Sequence, residues 1–342
     1  MYSYLLPVDF FINLTYNFSY SEIYSGYQSI RVQTEFLGIS PLISHYLLKY
    51  LLEDFAYEQQ KKLNNLSTLP SGKIRYTLTN DYMFRAVFQK NQNALKGLLS
   101  ALLCIPKASI KEVTILNPII LGETIDDKTC ILDLHLRLNN NELINIEMQV
   151  SDFGNWPERS ITYLGRSFDH TKTGGNYLDI HTTIHIGILD FNLSHLTPEF
   201  YSEFKLMNVN NHEIYSDKFV LRVLNLKSLE NDSIEKEPTD LYYWAKLFKA
   251  ATWEEIKMLA SKNPDMEDTI VTLKELSADE KIKLQCLARE RYEWDMASAI
   301  AKGEQRMVQL IQQLTKDGLA DLISKACTDE NYRQELYQKY NI

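Results

Sequence analysis

The sequence is poor in cysteine: four in 342 residues, with no two forming a Cys-x-x-Cys pair. Cys104, Cys130, Cys286 and Cys327 therefore lack zinc-finger spacing. Scattered thiols of this kind suit a reducing, cytoplasmic setting and are expected as reduced core residues. No apolar run of roughly eighteen or more residues occurs, so no membrane span is expected. Residues 1–18 have no basic leading segment and carry Asp9 within their apolar part, which speaks against a secretory signal. Basic residues are in the minority. The 36 Lys and Arg against 45 Asp and Glu leave a net charge of −9. The chain is thus no bulk polycation, and binding to nucleic acid would require locally gathered bases or a metal that offsets the acids. No internal repeat or long low-complexity tract is visible. What remains is an ordinary globular composition, 45% hydrophobic and 24% charged, in a chain long enough for one large domain or two smaller ones.

Residues 1–40 are rich in Tyr, Phe and Ser without a clean period. Over 41–65, Leu47, Leu48, Leu51, Leu52 and Phe55 recur at helical spacing. Pro70 and Gly72 mark 66–77 as a linker. Thr79 or Asn80 can then cap a helix from Asp81, whose charge suits a helix N-terminus. Its buried stripe is Met83, Phe84, Val87, Phe88, Leu95, Leu98, Leu99 and Leu102, with a break near Asn91 and a stop at Pro106. Strands are predicted at 112–118, 131–138, 143–150, 179–191 and 214–226, with a helix near 157–171. From Leu241 onward the pattern is helical. This order predicts an α/β sheet with helices on its faces.

Two adjoining strands carry the chemistry. In 131–138 the leucines at 132, 134, 136 and 138 share one face, and Asp133, His135 and Arg137 the other. In 143–150, Ile144, Ile146, Met148 and Val150 oppose Asn145, Glu147 and Gln149. The intervening Asn139-Asn140-Asn141 suits a three-residue hairpin loop. If 138 pairs with 142, paired numbers sum to 280 and Asp133 stands across from Glu147, about 4.5–5.5 Å away at Cβ. A slip of one residue would put the acids on opposite faces. Two readings follow. One is a plain solvated hairpin face with Asp133 paired to Arg137 or His135. The other is a carboxylate pair for a hard divalent cation such as Mg²⁺. Nearby, Arg159, Tyr163, Arg166 and His170 fall on one helical stripe. That stripe is either a solvated face or a phosphate-binding surface beside the acids.

The stretch GETIDDKTCILDLHLRLNNNELINIEMQVSDFGNWPERSITYLGRSFDH, over 122–170, resembles the PD-(D/E)XK nuclease family transposases. The shared pieces are Asp127-Lys128, Ile131-Leu132-Asp133, Asn145 to Gln149, and Arg159-Ser160 with Tyr163. TLTNDYMFRAVF (77–88), ILDFNL (188–193) and the C-terminal tail are similar too, so the resemblance spans roughly 73–342. It implies a restriction-endonuclease-like core, a mixed four-stranded sheet flanked by helices, with a helical C-terminal region. The implied division is an N-terminal extension of unassigned role over 1–72, a nuclease-like domain over 73–230, and helices over 231–342. The implied activity is Mg²⁺-dependent DNA endonuclease action, with Mn²⁺ as a substitute, serving recombination or a mobile element. Asp133 and Glu147 would be metal-binding and catalytic, Asp81 a further metal ligand, and Arg159 and Tyr163 phosphate contacts. Gln149 stands where the superfamily more often has Lys. A Gln can orient the attacking water but cannot take its proton, and Lys128 could supply the missing charge. The implied partner is double-stranded DNA, and two sites on two strands would suit a homodimer. The 241–342 helices are expected to serve packing or self-association, with Trp244 in the core or at such an interface. The alternative is a catalytically inactive, nuclease-derived DNA-binding or interaction protein, favoured by the net charge and by Gln149.

Overall fold

The computed structural model describes residues 57, 64, 66–117, 119–120, 130–131, 133–139, 142–168, 176–230, 239–263 and 266–342. The chain divides into two compact units, Met1–Pro70 and Ser71–Ile342, and nearly all described residues belong to the second. Apart from 57 and 64, the helix expected over 41–65 lies outside the described residues. The linker expected over 66–77 belongs to the second unit from Ser71 and is packed from Ile74 onward. Ile74 donates its N–H to the Ala251 carbonyl at 2.8 Å, and Ile74 and Tyr76 are buried.

Local capping explains the first helices. Asn80 Oδ1 accepts the Met83 N–H at 3.1 Å and starts α1, Asp81–Lys90. Asn91 ends α1 and starts α2, Gln92–Leu103, by accepting the N–H groups of Asn93 and Ala94 at 3.0 Å each. Satisfying these otherwise unpaired donors is what makes Asn a strong N-cap. The helix ends ahead of Pro106, because Cys104 takes the left-handed conformation at φ 56° and closes it. The predicted apolar stripe of both helices is fully buried.

The strands follow: β1 (Val113–Ile115), β2 (Ile119–Ile120), β3 (Cys130–Ile131), β4 (Leu134–Leu138) and β5 (Glu142–Gln149). After helix α3 (Trp156–Phe168) come β6 (Thr182–Leu189), β7 (Tyr201–Met207) and β8 (Ile214–Asn225). One sheet has the order β1-β4-β5-β6-β8-β7, while β2 and β3 pair separately. β5–β6 and β6–β8 are parallel and the other pairings antiparallel, so the sheet is mixed. It has six strands rather than the expected four. β1 falls within the strand expected over 112–118, and the edge strand β7 was not expected.

The β4–β5 register runs from Leu138↔Glu142 to Leu134↔Ile146, the predicted pairing. Asn139, at φ 48°, turns the chain. Its Oδ1 accepts the Lys111 and Glu112 N–H groups at 2.9 and 3.2 Å, which ties the hairpin to the segment before β1. α3 covers the face that carries the odd-numbered residues of β5, β6 and β8. There Trp156 packs with Leu189, Phe191 and Val223, and Phe168 meets Phe219 edge-on. α1 and α2 lie on the even-numbered face, where Arg222 donates to the Leu102 carbonyl at 2.9 Å.

The C-terminal region is helical: α4 (Asp240–Lys249), α5 (Trp253–Ala260), α6 (Glu267–Ala278), α7 (Glu280–Lys316), α8 (Ile323–Thr328) and α9 (Glu330–Tyr340). Trp244 is core, against Phe88 and Phe248. α6 and α7 pack on α1, and the same Asn caps tie them there. Asn91 Nδ2 donates to Thr272 Oγ1 at 3.0 Å, and Asn80 Nδ2 to the Cys286 carbonyl at 3.3 Å. Cys286 is a buried thiol, while Cys104 and Cys327 are exposed rather than core residues. Among the described residues no helix is long and apolar enough to cross a membrane.

Candidate active site

The polar face of the hairpin is not solvated. Asn145, Glu147 and Gln149 are buried, and His135 with them. α3 does the covering, and it brings the polar partners that such burial requires. Ser167 Oγ accepts a bond of 2.5 Å from Asn145 Nδ2. Arg159 grips Glu147 through two guanidinium nitrogens, Nε at 2.8 Å and a terminal nitrogen, both on the single oxygen Oε1. The guanidinium also lies over the Tyr163 ring, 5.0 Å from its centroid.

The neighbouring strand completes this wall. Parallel pairing sets Asn145 beside His185 and Glu147 beside Gly187. A Cβ at position 187 would stand 2.1 Å from Trp156 Cζ2, so only glycine admits the indole against the strand. The Trp156 and His185 rings lie 5.7 Å apart, and Tyr163 meets His185 edge-on at 6.1 Å. His185 Nε2 is 3.8 Å from Glu147 Oε2, beyond hydrogen-bond range. Burial, reinforced by Arg159, lowers the His185 pKa to about 3, so the ring is neutral at physiological pH.

Asp133 sits one position beyond the β4 ladder, at a bend, and its Oδ2 accepts the Met148 N–H at 2.9 Å. Its carboxyl pKa is raised well above the usual range by burial, and further by the charges of Glu147 and Asp81; the Met148 N–H and Arg85 oppose the rise. Glu147 is also raised, because burial outweighs the charge and hydrogen bonds of Arg159. Three acids therefore share one poorly solvated region. Asp81, in the first turn of α1, is held through Oδ2 by Arg289 of α7. Arg289 also lowers Glu147. Glu293, one turn further along α7, has its pKa raised by burial and by Asp81.

The structure thus joins Asp81, Asp133, Glu147, Arg159 and Tyr163 into one network, with Gln149 on the same face of β5. Gln149 Nε2 donates to the Ser151 carbonyl at 2.9 Å. Lys128 and His170 lie outside the described residues. Arg289, Glu293, His185, Trp156 and Arg85 were not anticipated. His185 and Gly187 could have been found by matching the parity of β6 to that of β5. Nothing local to the sequence of α7 points to Arg289.

The donor chemistry fits a hard divalent cation. Asp81 Oδ1, Glu147 Oε2 and Gln149 Oε1 are buried oxygens with no hydrogen-bond partner among the described residues. No three His, Cys, Asp or Glu side chains among the described residues stand close enough to enclose an ion. Mg²⁺ does not need such an enclosure, since it keeps several waters and uses about one or two carboxylates.

The comparison with known families decides the placement. A profile of the PD-(D/E)XK nuclease family transposases matches residues 78–303. The chain belongs to this family. Its mixed sheet, flanking helices and helical C-terminal region are those of a restriction-endonuclease-like PD-(D/E)XK fold. A nuclease- or transposase-related function with DNA as substrate goes with that membership. No curated protein and no solved structure matches the chain.

Proposed function

We propose that this PD-(D/E)XK family member is a divalent-metal-dependent DNA endonuclease that hydrolyses phosphodiester bonds in double-stranded DNA, in the service of recombination or a mobile element. The observation that carries the reading is a buried polar set whose oxygens lack hydrogen-bond partners: Glu147 Oε2, Asp81 Oδ1 and Gln149 Oε1, beside Asp133. Burying carboxylates that are incompletely paired is costly. A site that keeps them is built for a cation or for chemistry.

Asp133 and Glu147 would hold the cation, with Asp81 as a further oxygen donor. A bound Mg²⁺ or Mn²⁺ would acidify a water and offset charge developing on the phosphate. The chain's own groups do the positioning. Met148 N–H fixes the Asp133 carboxylate. Gln149 anchors its amide nitrogen on Ser151 and leaves Oε1 free to accept from, and so orient, a nucleophilic water. It cannot take the proton. Arg159, half-exposed above Tyr163, supplies a planar donor for phosphate oxygens. His185 stays neutral, and with Trp156 it walls the site.

The test is nicking of supercoiled plasmid by the whole chain with Mg²⁺ or Mn²⁺, beside Asp133→Ala, Glu147→Ala and a chelator. Cleavage by the wild type alone supports the reading. A folded wild type that cuts under neither metal, yet retains DNA in the presence of chelator, would support the inactive DNA-binding reading. The engagement of Glu147 and Asp81 by arginines is the observation in favour of that second reading.

A further inference from the structure

We infer that Arg159 and Arg289 are exchangeable counter-ions of the acid cluster, displaced together when a phosphate and a divalent cation arrive, so that cation and DNA bind cooperatively. This deepens the nuclease reading and rests on it for the identity of the phosphate.

The two ion pairs share an asymmetry. The Arg159 side chain is 33% exposed and its partner Glu147 4%; Arg289 is 38% exposed and Asp81 12%. The carboxylates are enclosed, whereas the arginine side chains are partly exposed. The mobile half of each pair is therefore the arginine. Each engages only one oxygen of its acid, and the second oxygen, Glu147 Oε2 or Asp81 Oδ1, is buried without a hydrogen-bond partner. Half of each carboxylate is therefore left without a hydrogen-bond partner.

Each arginine also has somewhere to rest. Arg159 lies 5.0 Å from the centroid of Tyr163, and Arg289 lies 4.9 Å from that of Tyr292, each on its own helix. These stacks can keep the guanidiniums at the site's edge after they release the acids. There they face an incoming phosphate, for which the arginine fork is well suited.

Charge makes the exchange cooperative. Asp81, Asp133, Glu147 and Glu293 stand against Arg85, Arg159 and Arg289. A divalent cation added to this set would repel the arginines. A phosphate that drew them off would leave the acids short of positive charge and raise their affinity for the cation. Linkage requires the two effects to be equal in size. Arg289 further implies that α7 belongs to this site.

The experiment measures free Mn²⁺ by electron paramagnetic resonance during titration of the full-length chain, with and without a phosphorothioate duplex that resists hydrolysis. For the wild type, the duplex should tighten Mn²⁺ binding about tenfold, within the usual range of roughly 5- to 150-fold for coupled sites. Arg289→Met should bind Mn²⁺ more tightly than wild type without DNA, and the duplex should then add less than about twofold. Arg289→Lys keeps the charge but loses the planar fork, and should fall between wild type and Arg289→Met in both Mn²⁺ affinity and coupling, a graded order that loss of fold would not produce. Equal Mn²⁺ affinity of the wild type with and without duplex would overturn the inference, as would Arg289→Met binding no tighter than wild type. Coupling without plasmid cleavage would sustain the exchange and refute the endonuclease reading. Cleavage without coupling would do the reverse.

Discussion

The contact between Gly187 and Trp156 offers the sharpest test of how the site is built. Gly187→Ala would place a methyl carbon 2.1 Å from Cζ2 and 2.6 Å from Cη2 of the indole. Ordinary carbon contacts lie near 3.5–4.0 Å, so the ring must retreat by roughly 1.5 Å. It has no free space for this, since Trp156 is 1% exposed and is packed on Leu189, Phe191 and Val223. Overpacking of a close-packed core costs about 1–3 kcal/mol, and a displacement of this size belongs near the upper limit. A loss of ~3 kcal/mol lowers the melting temperature by about 4–5 °C in a chain of this size. Urea and thermal unfolding of Gly187→Ala, Trp156→Leu and the double variant form a cycle. With the smaller Leu at 156, the alanine at 187 should cost less than about 1 kcal/mol, which gives a coupling of roughly 2 kcal/mol. Because Trp156 opens the helix that carries Arg159, Gly187→Ala should also weaken DNA retention more than its stability loss explains. Additive single effects, or a Gly187→Ala protein as stable as wild type, would refute this account of the wall behind Glu147.

Other expectations follow from the same geometry. The Asp133 pKa is raised above its ordinary value of 3.8, so the folded chain binds that proton more tightly than the unfolded chain. Wild type should therefore gain stability from this group as pH falls through the raised pKa towards about 4, and lose it again as pH rises. Asp133→Asn should melt higher than wild type at pH 8, by a margin that shrinks towards pH 4, while nicking is lost; a pH-independent difference in scanning fluorimetry would contradict this. Ser167→Val leaves the buried Asn145 amide without its partner and should cost about 1–3 kcal/mol by urea unfolding, whereas an unchanged midpoint would show that the bond contributes nothing. Asn91→Ala removes the α2 cap and the bond to Thr272 and should cost about 1–2 kcal/mol. A loss of only a few tenths would mean that the link to α6 is incidental.

How much of this was legible depends on the range of the interaction. The β4–β5 register was, because period-2 alternation fixes which residues share a face and the short Asn loop fixes the pairing, which sets Leu134 and Leu136 across from Ile146 and Ile144. The α1–α2 break was legible for a similar reason, since Asn91 is a strong cap within an unbroken apolar stripe. β7 was not. Its side chains are mostly exposed or half-buried, so no contrast between faces marks it. The link between Asp81 and Arg289 was not either, since it joins residues far apart in sequence and depends on how α7 packs across α1.

The burial of the polar hairpin face was the most informative failure. Asn145, Glu147 and Gln149 alternate with Ile144, Ile146 and Met148, and that pattern ordinarily marks one dry face and one wet face. Alternation shows only that two faces differ in chemistry. It does not show which of them meets water. The distinction lay in the next helix, where Trp156, Leu164 and Tyr163 are buried beside Ser160, Ser167 and Arg159. A helix that sets large apolar groups and hydrogen-bonding groups towards the same side is shaped to cover a surface that is itself mixed. The parallel strand β6 supports the same deduction, because Thr183, His185 and Gly187 recur at period 2 opposite Leu143, Asn145 and Glu147. Polar residues repeated across adjacent parallel strands cannot all be solvent-facing once a crossover helix joins those strands, since that helix must lie on one face of the sheet. In this chain it lies on the polar face, and Glu147 and Gln149 beneath it each keep an oxygen without a hydrogen-bond partner.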